Sequence, residues 1–351
     1  MAERWLDSVL RLALASSERT VPGMRICIIG GTGHISASLV QVLLTHGHEV
    51  TCVTRGLSGE VPVGARWIQA DRRDRAAFER QMQATPLDAA IDMLCFTRED
   101  AASSVRAFPH IHHFVQCSTV CTYGIAHDWR PVTEDHPLRP TTTYGRHKAE
   151  ADAVFLEAYD RQGFPVTVVK PSTTYGPKQG LLRQIAWDVS WITRIRQGKP
   201  LLICDDGSAL HQHLHVEDAA LGFASLLGKA HVIGQTYNLV ERGCITWAEY
   251  HRTAMRVLGR QVELVGVPLA DLIAFHVPNI DICREIFAHH GYYSAEKLYQ
   301  HVPEFRPAVS LEAGMRQVIE AMDRTGRLPS SHQEDWEDHI IAAWRQGSRG
   351  H

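Results

Sequence analysis

Tyr144 and Lys148 are four residues apart in Tyr144-Gly145-Arg146-His147-Lys148, so on a helix a phenol and an ammonium group share one face, one turn apart. The chain has nine tyrosines, and only six lysines against 30 arginines, so a lysine at a chemically useful spacing carries weight. Tyr293 and Lys297 repeat the spacing, and position separates the two pairs. Tyr144 follows a strand-like run ending in Gln116-Cys117-Ser118-Thr119, whereas Tyr293 lies in a C-terminal segment away from any strand end and reads as a decoy. A second chemical signal is Ile28-Ile29-Gly30-Gly31-Thr32-Gly33-His34-Ile35-Ser36, in which Gly30 and Gly33 fill two of three positions of a Gly-x2-Gly-x2-Gly pattern and Ser36 replaces the third. Glycines there permit a tight turn and let a pyrophosphate approach the backbone at a helix N-terminus. His211-x-His213-x-His215 and the group His110, His112, His113 have metal-ligand chemistry. The expectation is nevertheless no metal, with His211 facing the substrate.

These residues need elements to hold them. From Met24 onward, short apolar runs alternate with amphipathic stretches. Strands are expected at 25–29, 49–54, 66–70, 89–93, 113–117 and 166–170, with helices at 33–46, 76–83, 101–107 and 144–159 between them. Such alternation implies right-handed βαβ units and a doubly wound parallel sheet of Rossmann type, covered by helices on both faces. After Pro171 the rhythm loosens into an expected helix near 181–196, another near 216–227, a strand near 236–240 and a mostly helical C-terminal part. The expected division is an N-terminal helical extension (1–23), a dinucleotide-binding domain (24–177, rejoined by 211–240), a smaller, mostly helical substrate lobe (178–210 and 241–330) and a C-terminal helix (331–351).

Composition narrows the class. A 44% apolar and 21% charged chain of 351 residues has enough core-forming material for a globular enzyme. A formal charge of −3 offers no attraction for nucleic acid or an anionic membrane, and no apolar run reaches the ~18–20 residues of a membrane span. Eight scattered cysteines without a Cys-x2-Cys pair point to a reducing compartment. Glu3, Asp7 and Arg11 break up what might pass for a signal peptide, and Trp5, Leu6, Val9, Leu10 and Ala13 fall at helical spacing. A cytoplasmic location follows as the expectation. The expected partners are a small-molecule substrate and a second copy in a homodimer, with neither nucleic acid nor membrane.

From about Met24 to Leu328 the sequence resembles the extended short-chain dehydrogenase/reductase family, which includes nucleotide-sugar epimerases and dehydratases. The resemblance rests on ordered motifs: the glycine turn, Asp71-Arg72-Arg73-Asp74, Cys117-Ser118-Thr119-Val120-Cys121-Thr122-Tyr123-Gly124, Tyr144-x3-Lys148, Lys170-Pro171-Ser172-Thr173-Thr174-Tyr175-Gly176-Pro177 and His215-Val216-Glu217-Asp218-Ala219-Ala220. It implies Thr119, Tyr144 and Lys148 as catalytic residues. Thr119 would hydrogen-bond the reacting oxygen and Tyr144 would act as acid/base, with Lys148 lowering a phenol pKa of about 10 and holding the nicotinamide ribose. It further implies that Gly30, Thr32, Gly33, His34 and Ile35 meet the cofactor, together with Asp71 and Arg72 at the adenine and with Leu94, Pro171 and Thr173. Cys95, Cys121, Thr174, Arg183 and His211 would face the substrate.

Three departures from the family pattern narrow the expectation. Counting 21 residues from Gly33 reaches Thr54 and then Arg55, where an acidic residue would bind the NAD ribose; a guanidinium suits the 2′-phosphate of NADP, with NAD the alternative. Val120 and Cys121 occupy the positions where sugar dehydratases carry Asp-Glu. His211 and Thr173 stand where an Arg and an Asn would anchor a nucleotide-sugar pyrophosphate, leaving Arg183, Arg194 or Arg196 to compensate. The expected activity is NADP-preferring hydride transfer at a secondary alcohol or ketone carbon of a small polar or sugar-like substrate. The alternatives are an NAD-dependent sugar epimerase and a non-catalytic dinucleotide-binding regulator or RNA-binding relative.

Overall fold

Seven strands build one parallel sheet: β1 (Arg25–Ile29), β2 (Glu49–Thr54), β3 (Arg66–Gln69), β4 (Ala89–Asp92), β5 (His113–Cys117), β6 (Val166–Pro171) and β7 (Thr236–Leu239), in the order β3-β2-β1-β4-β5-β6-β7. In register, Ile28 lies opposite Cys52 on one side and Ile91 on the other. The computed structural model describes residues 23–329 and 336–347, so the helix expected near Trp5–Ala13 lies outside the described residues.

The central strands are buried and mostly apolar because both faces of the sheet are covered, while the edge strand β3 is largely exposed. Side chains alternate across the sheet. Ile26 and Ile28 enter a core with Leu39, Val40 and Leu43 of helix α1 (Ser36–Thr45) and with Ala219 and Phe223 of helix Val216–Leu226. Cys27 and Ile29 enter the opposite core with Phe78 of α2 (Arg75–Gln83), Ala101 of α3 (Arg98–Ala107) and Phe155 of α4 (Thr143–Gln162). The doubly wound parallel architecture expected from the sequence is therefore present, with strand limits within a residue or two of those expected.

The segments expected to form the substrate lobe depart from expectation. The helix expected over 181–196 is confined to Trp191–Gln197. Leu181, Leu182, Ile185 and Ala186 are buried at a helix-like spacing, yet their segment is irregular. It is held by side chains: Gln184 accepts from the Cys204 amide (3.0 Å) and the Arg183 guanidinium donates twice to Glu337 (2.7 Å each). Three short pairings, Thr173–Tyr175 with His213–His215, Leu210–His211 with Ile245–Thr246, and Leu201–Cys204 with Leu264–Val267, knit the lobe to the sheet's edge and to itself. Its core is aromatic, centred on Trp191, Trp247, Tyr250 and Phe287.

Candidate active site

The first strand leads into a turn that only glycine can make in this packing. Gly30 has φ +91°, and a Cβ there would sit 2.5 Å from Leu94 Cγ, while a Cβ on Gly31 would overlap Cys52. Ser36, standing for the third glycine, ties the turn: its hydroxyl donates to Gly30 O (2.5 Å) and accepts from Gly33 N (2.8 Å). Helix α1 then follows Ile35, which gives it no side-chain cap, and the Ala37 amide is taken by Gly33 O (3.3 Å), so the open N-terminus faces the turn. This cradle fits a dinucleotide pyrophosphate. His34, beside the turn, has its pKa pushed down to about 4 mainly by burial, so it adds no charge there at neutral pH.

Further along the cofactor face, Asp71 is paired with Arg73 (2.7 Å), whose hydrogen bonds lower its pKa to about 2. Arg55 lies close enough to contribute to that lowering, and Thr54 Oγ1 accepts from the Trp67 indole (3.0 Å). The expectation for Arg72 requires correction. Its guanidinium is nearly buried and donates to both oxygens of Asp92 (2.8 Å each) and to Asp100 O, so the side chain braces β4 and α3 rather than reaching the adenine. Asp92 in turn accepts from the Leu94 amide (2.9 Å), which places Leu94 over Gly30.

The catalytic candidates meet beyond the end of β5. Thr119 caps a single turn, Val120–Tyr123, and its hydroxyl accepts from Cys121 N (3.2 Å). Helix α4, capped by Thr142 accepting from Gly145 N (2.8 Å), packs its first turn onto that segment. A Cβ on Gly145 would lie 2.5 Å from Cys121 O, so glycine beside Tyr144 is what allows the approach. Lys148 is buried and its ammonium donates to Cys117 O (2.7 Å), 5.9 Å from the centre of the Tyr144 ring. Phe96 completes the group, with its ring 4.7 Å from Lys148 Nζ and 6.4 Å from the Tyr144 ring. Tyr144 is 45% exposed, with Cys117, Cys121 and Thr119 beside it. Burial pushes that phenol above its ordinary value, opposed in part by the nearby Thr119 hydroxyl, so Tyr144 carries its proton at neutral pH.

A buried ion pair underlies this arrangement, and the motif reading passed over it. Lys170 Nζ donates to Asp152 Oδ2 (2.6 Å) and Thr122 Oγ1 (2.8 Å), and Ser118 Oγ donates to the same Asp152 oxygen (2.5 Å). The pair ties β6, the turn carrying Thr119 and helix α4 together. Two signals were present: Asp152 lies one helical turn beyond Lys148, and Lys170, one of six lysines, ends an otherwise apolar strand.

On the substrate side, Thr173 Oγ1 and His211 Nε2 share a hydrogen bond of 2.7 Å. His211 also stacks on Trp247 (5.0 Å between centroids), and burial takes its pKa down to about 4, leaving it neutral at pH 7. Thr174 is half-buried on the strand beside Thr173, and Cys121 is half-buried beside Tyr144.

Three expectations fail here. Arg183 is wholly buried on Glu337, and Arg194 and Arg196 are engaged with Glu337, Asp338 and Asp323, so none of these arginines replaces the missing anion anchor. Cys95 is fully buried in the irregular segment after β4, its thiol directed to Thr97 O (3.8 Å), and it packs in the core that holds Phe78 and Phe114 rather than facing the cleft. Tyr293 is not remote: its ring lies 5.9 Å from Tyr123, and its hydroxyl and His211 Nδ1 both border Gly291. Lys297 points instead over Tyr237 (5.2 Å), so the second Tyr-x3-Lys pair does not act as a unit. Among the described residues, no group of three His, Cys, Asp or Glu is arranged to hold a metal, and no helix is long and apolar enough to cross a membrane.

A parallel sheet with a glycine cradle after its first strand, and a Tyr-Lys helix packed on the segment after its fifth, defines a dinucleotide-dependent enzyme of the extended short-chain dehydrogenase/reductase type. The chain belongs to the NAD dependent epimerase/dehydratase family, whose model matches residues 26–239. It is 30% identical to the 2′-dehydrokanamycin reductase of Streptomyces kanamyceticus over 246 residues, 70% of each chain. It is 22% identical over 321 residues to the chloroplast stem-loop binding protein of 41 kDa b of Arabidopsis thaliana, covering 86% of this chain and 78% of that protein. Among solved structures, the dTDP-glucose 4,6-dehydratase of Bacillus anthracis in complex with NAD superposes with a TM-score of 0.70 at 21% identity, covering 87% of this chain and 98% of that one, a likeness of fold.

Proposed function

We propose that this enzyme is an NADP(H)-preferring reductase of a ketone on a small, polar, sugar-like molecule. The observation that carries the reading is the convergence of Thr119, a protonated Tyr144 and a buried Lys148 at the end of β5. When bound, the dinucleotide supplies the hydride. Tyr144 gives its phenol proton to the carbonyl oxygen, and the Thr119 hydroxyl orients that oxygen. Lys148, fixed by Cys117 O, places a positive charge beside the phenolate that forms.

The substrate class follows from what is missing. A nucleotide-sugar pyrophosphate needs fixed cations when buried. Here the two anchor positions hold a neutral imidazole and a hydroxyl that bond to each other. Val120 and Cys121 cannot serve as the proton-transfer pair of a dehydratase. Similarity to 2′-dehydrokanamycin reductase supports a keto-aminoglycoside or comparable keto-sugar. Arg55 beside Thr54, with no acidic residue at the end of β2, supports NADP over NAD. The −3 charge and the assembled Thr-Tyr-Lys group weigh against a stem-loop-binding role like that in the name of the Arabidopsis relative. A homodimer is proposed alongside, to be tested by analytical ultracentrifugation.

The test is NADPH oxidation against a panel of keto-sugars and keto-aminocyclitols, with calorimetric titration of UDP and dTDP in parallel. Turnover of a keto-sugar with net NADPH consumption, and no micromolar binding of the nucleotides, is expected. Tight nucleotide binding, or substrate isomerisation without net NADPH consumption, would replace this reading with the epimerase one.

A further inference from the structure

We infer that Lys178 is a phosphate-binding residue of the dinucleotide site, supplied by the segment that leaves the sheet after β6. This rests on the reading of the cleft as a dinucleotide site. The ammonium of Lys178 donates to the carbonyl of Thr32, inside the glycine turn, and to the carbonyl of Ser58 (3.3 Å), in the loop after β2. The first of these backbones carries the amides of the pyrophosphate cradle. The second follows Arg55 by three residues. Lys178 thus spans the two places where a dinucleotide brings negative charge.

The charge balance of the lysines supports the assignment. Lys170, Lys199 and Lys229 each pair with a carboxylate. Lys148, Lys178 and Lys297 have no carboxylate within salt-bridge distance among the described residues; Lys297 sits over the Tyr237 ring, whereas Lys148 and Lys178 donate to backbone carbonyls on the cofactor face. Neutral carbonyls leave a full positive charge uncompensated, which is what an incoming phosphate requires. Nearby, Asp71 is already paired with Arg73, so Arg55 and Lys178 leave the adenosine end of the cleft net positive. The charge of Lys178 also reaches His34, whose pKa it helps to lower.

The lysine is held in place from the other lobe. Arg327 donates to the carbonyls of Pro177 and of Lys178 itself (2.8 Å), fixing the backbone from which the side chain reaches. Two residues earlier, a Cβ on Gly176 would run into Val216, so this stretch lies tight against the sheet-side helix. Lys178 thereby makes the phosphate site a joint product of the sheet domain and the substrate lobe.

Calorimetric titration of the full chain and of Lys178→Gln with ADP-ribose and 2′-phospho-ADP-ribose tests this without any turnover, and the melting temperature of each protein without ligand is the control. The variant is expected to bind one or both ligands roughly 10- to 100-fold more weakly, the reach of a charge-assisted hydrogen bond. Lys178→Arg should recover most of the loss. A loss common to both ligands assigns the lysine to the pyrophosphate, and a loss confined to the phosphorylated ligand assigns it to the 2′-phosphate. Unchanged affinities would overturn the inference, even with a lowered melting temperature, because Lys178 would then be only a brace between loops. If the wild-type chain bound neither ligand, the dinucleotide reading itself would fall, an outcome distinct from failure of the variant alone.

Discussion

Replacing Lys170 by methionine isolates the worth of the ion pair beneath the active site. The side chains of Lys170 and Asp152 are 4% and 3% exposed, and their charged atoms meet at 2.6 Å. With the ammonium gone, Asp152 Oδ2 keeps only the Ser118 hydroxyl, while Oδ1 has no protein partner even in the intact protein. An uncompensated buried carboxylate of this kind costs about 3–5 kcal/mol. In urea, with a slope near or above ~3 kcal/mol per molar for a chain of this size, the unfolding midpoint should fall by about 1–2 M. Lys170→Met/Asp152→Leu, which removes both charges, should recover most of that loss, since an apolar replacement of a whole buried pair is often neutral. The Ser118–Thr122 segment carries Thr119, so kcat should fall in the single variant more than dinucleotide affinity does. A midpoint shift under about 0.3 M, or a double variant less stable than the single one, would refute the view that this pair is buried, dry and mutually dependent.

Tyr144→Phe should lower turnover at least ~100-fold while dinucleotide affinity, measured by calorimetry, stays within a factor of a few; equal losses in both would show that the residue shapes the cleft instead. Arg55→Ala should weaken NADPH by roughly 1–3 kcal/mol and leave NADH unchanged, and a parallel loss for both cofactors would remove Arg55 from the 2′-phosphate site. Acid should destabilise the protein through buried neutral histidines. His113 and His211 have pKa values lowered to about 4 by burial, so their contribution is complete above the unfolded value of about 6.5 and is lost as pH falls toward 4. Each adds a slope of about 1.4 kcal/mol per pH unit within that window. Urea midpoints that do not change between pH 7 and 5 would contradict this.

The sheet was legible because strands buried on both faces leave short, mostly apolar runs between amphipathic stretches, and because the glycine turn and the Tyr-Lys spacing are local patterns. What escaped was set by distance along the chain. Arg183 looked like a free cation from sequence, since its partner Glu337 is 154 residues away. Arg72 lies within a motif that meets the cofactor in relatives, but which way its side chain turns depends on Asp92, 20 residues on. Tyr293 seemed remote because nothing local reveals that its segment returns to Tyr123 and His211. The helix expected at 181–196 failed for a different reason: residues can be buried at helical intervals in a loop held by polar side chains. Gly145 and Phe96 left no pattern, as one matters for the atom it lacks and the other for a cation that approaches its face.

The Arg183–Glu337 clasp also sets an order of events during synthesis. Arg183 leaves the ribosome 154 residues before the carboxylate that neutralises it. At roughly 5–20 residues per second, that interval is about 8–30 s. By then every strand of the parallel sheet has emerged, since β7 ends at Leu239. The sheet domain can therefore be complete while Arg183 has only Asp188 (3.4 Å), five residues on, as a carboxylate partner. Leu202 waits too, as its amide donates to Glu337 (2.5 Å). Closure of the lobe around Arg183 therefore waits on translation of the helix Trp336–Gly347, which carries Glu337.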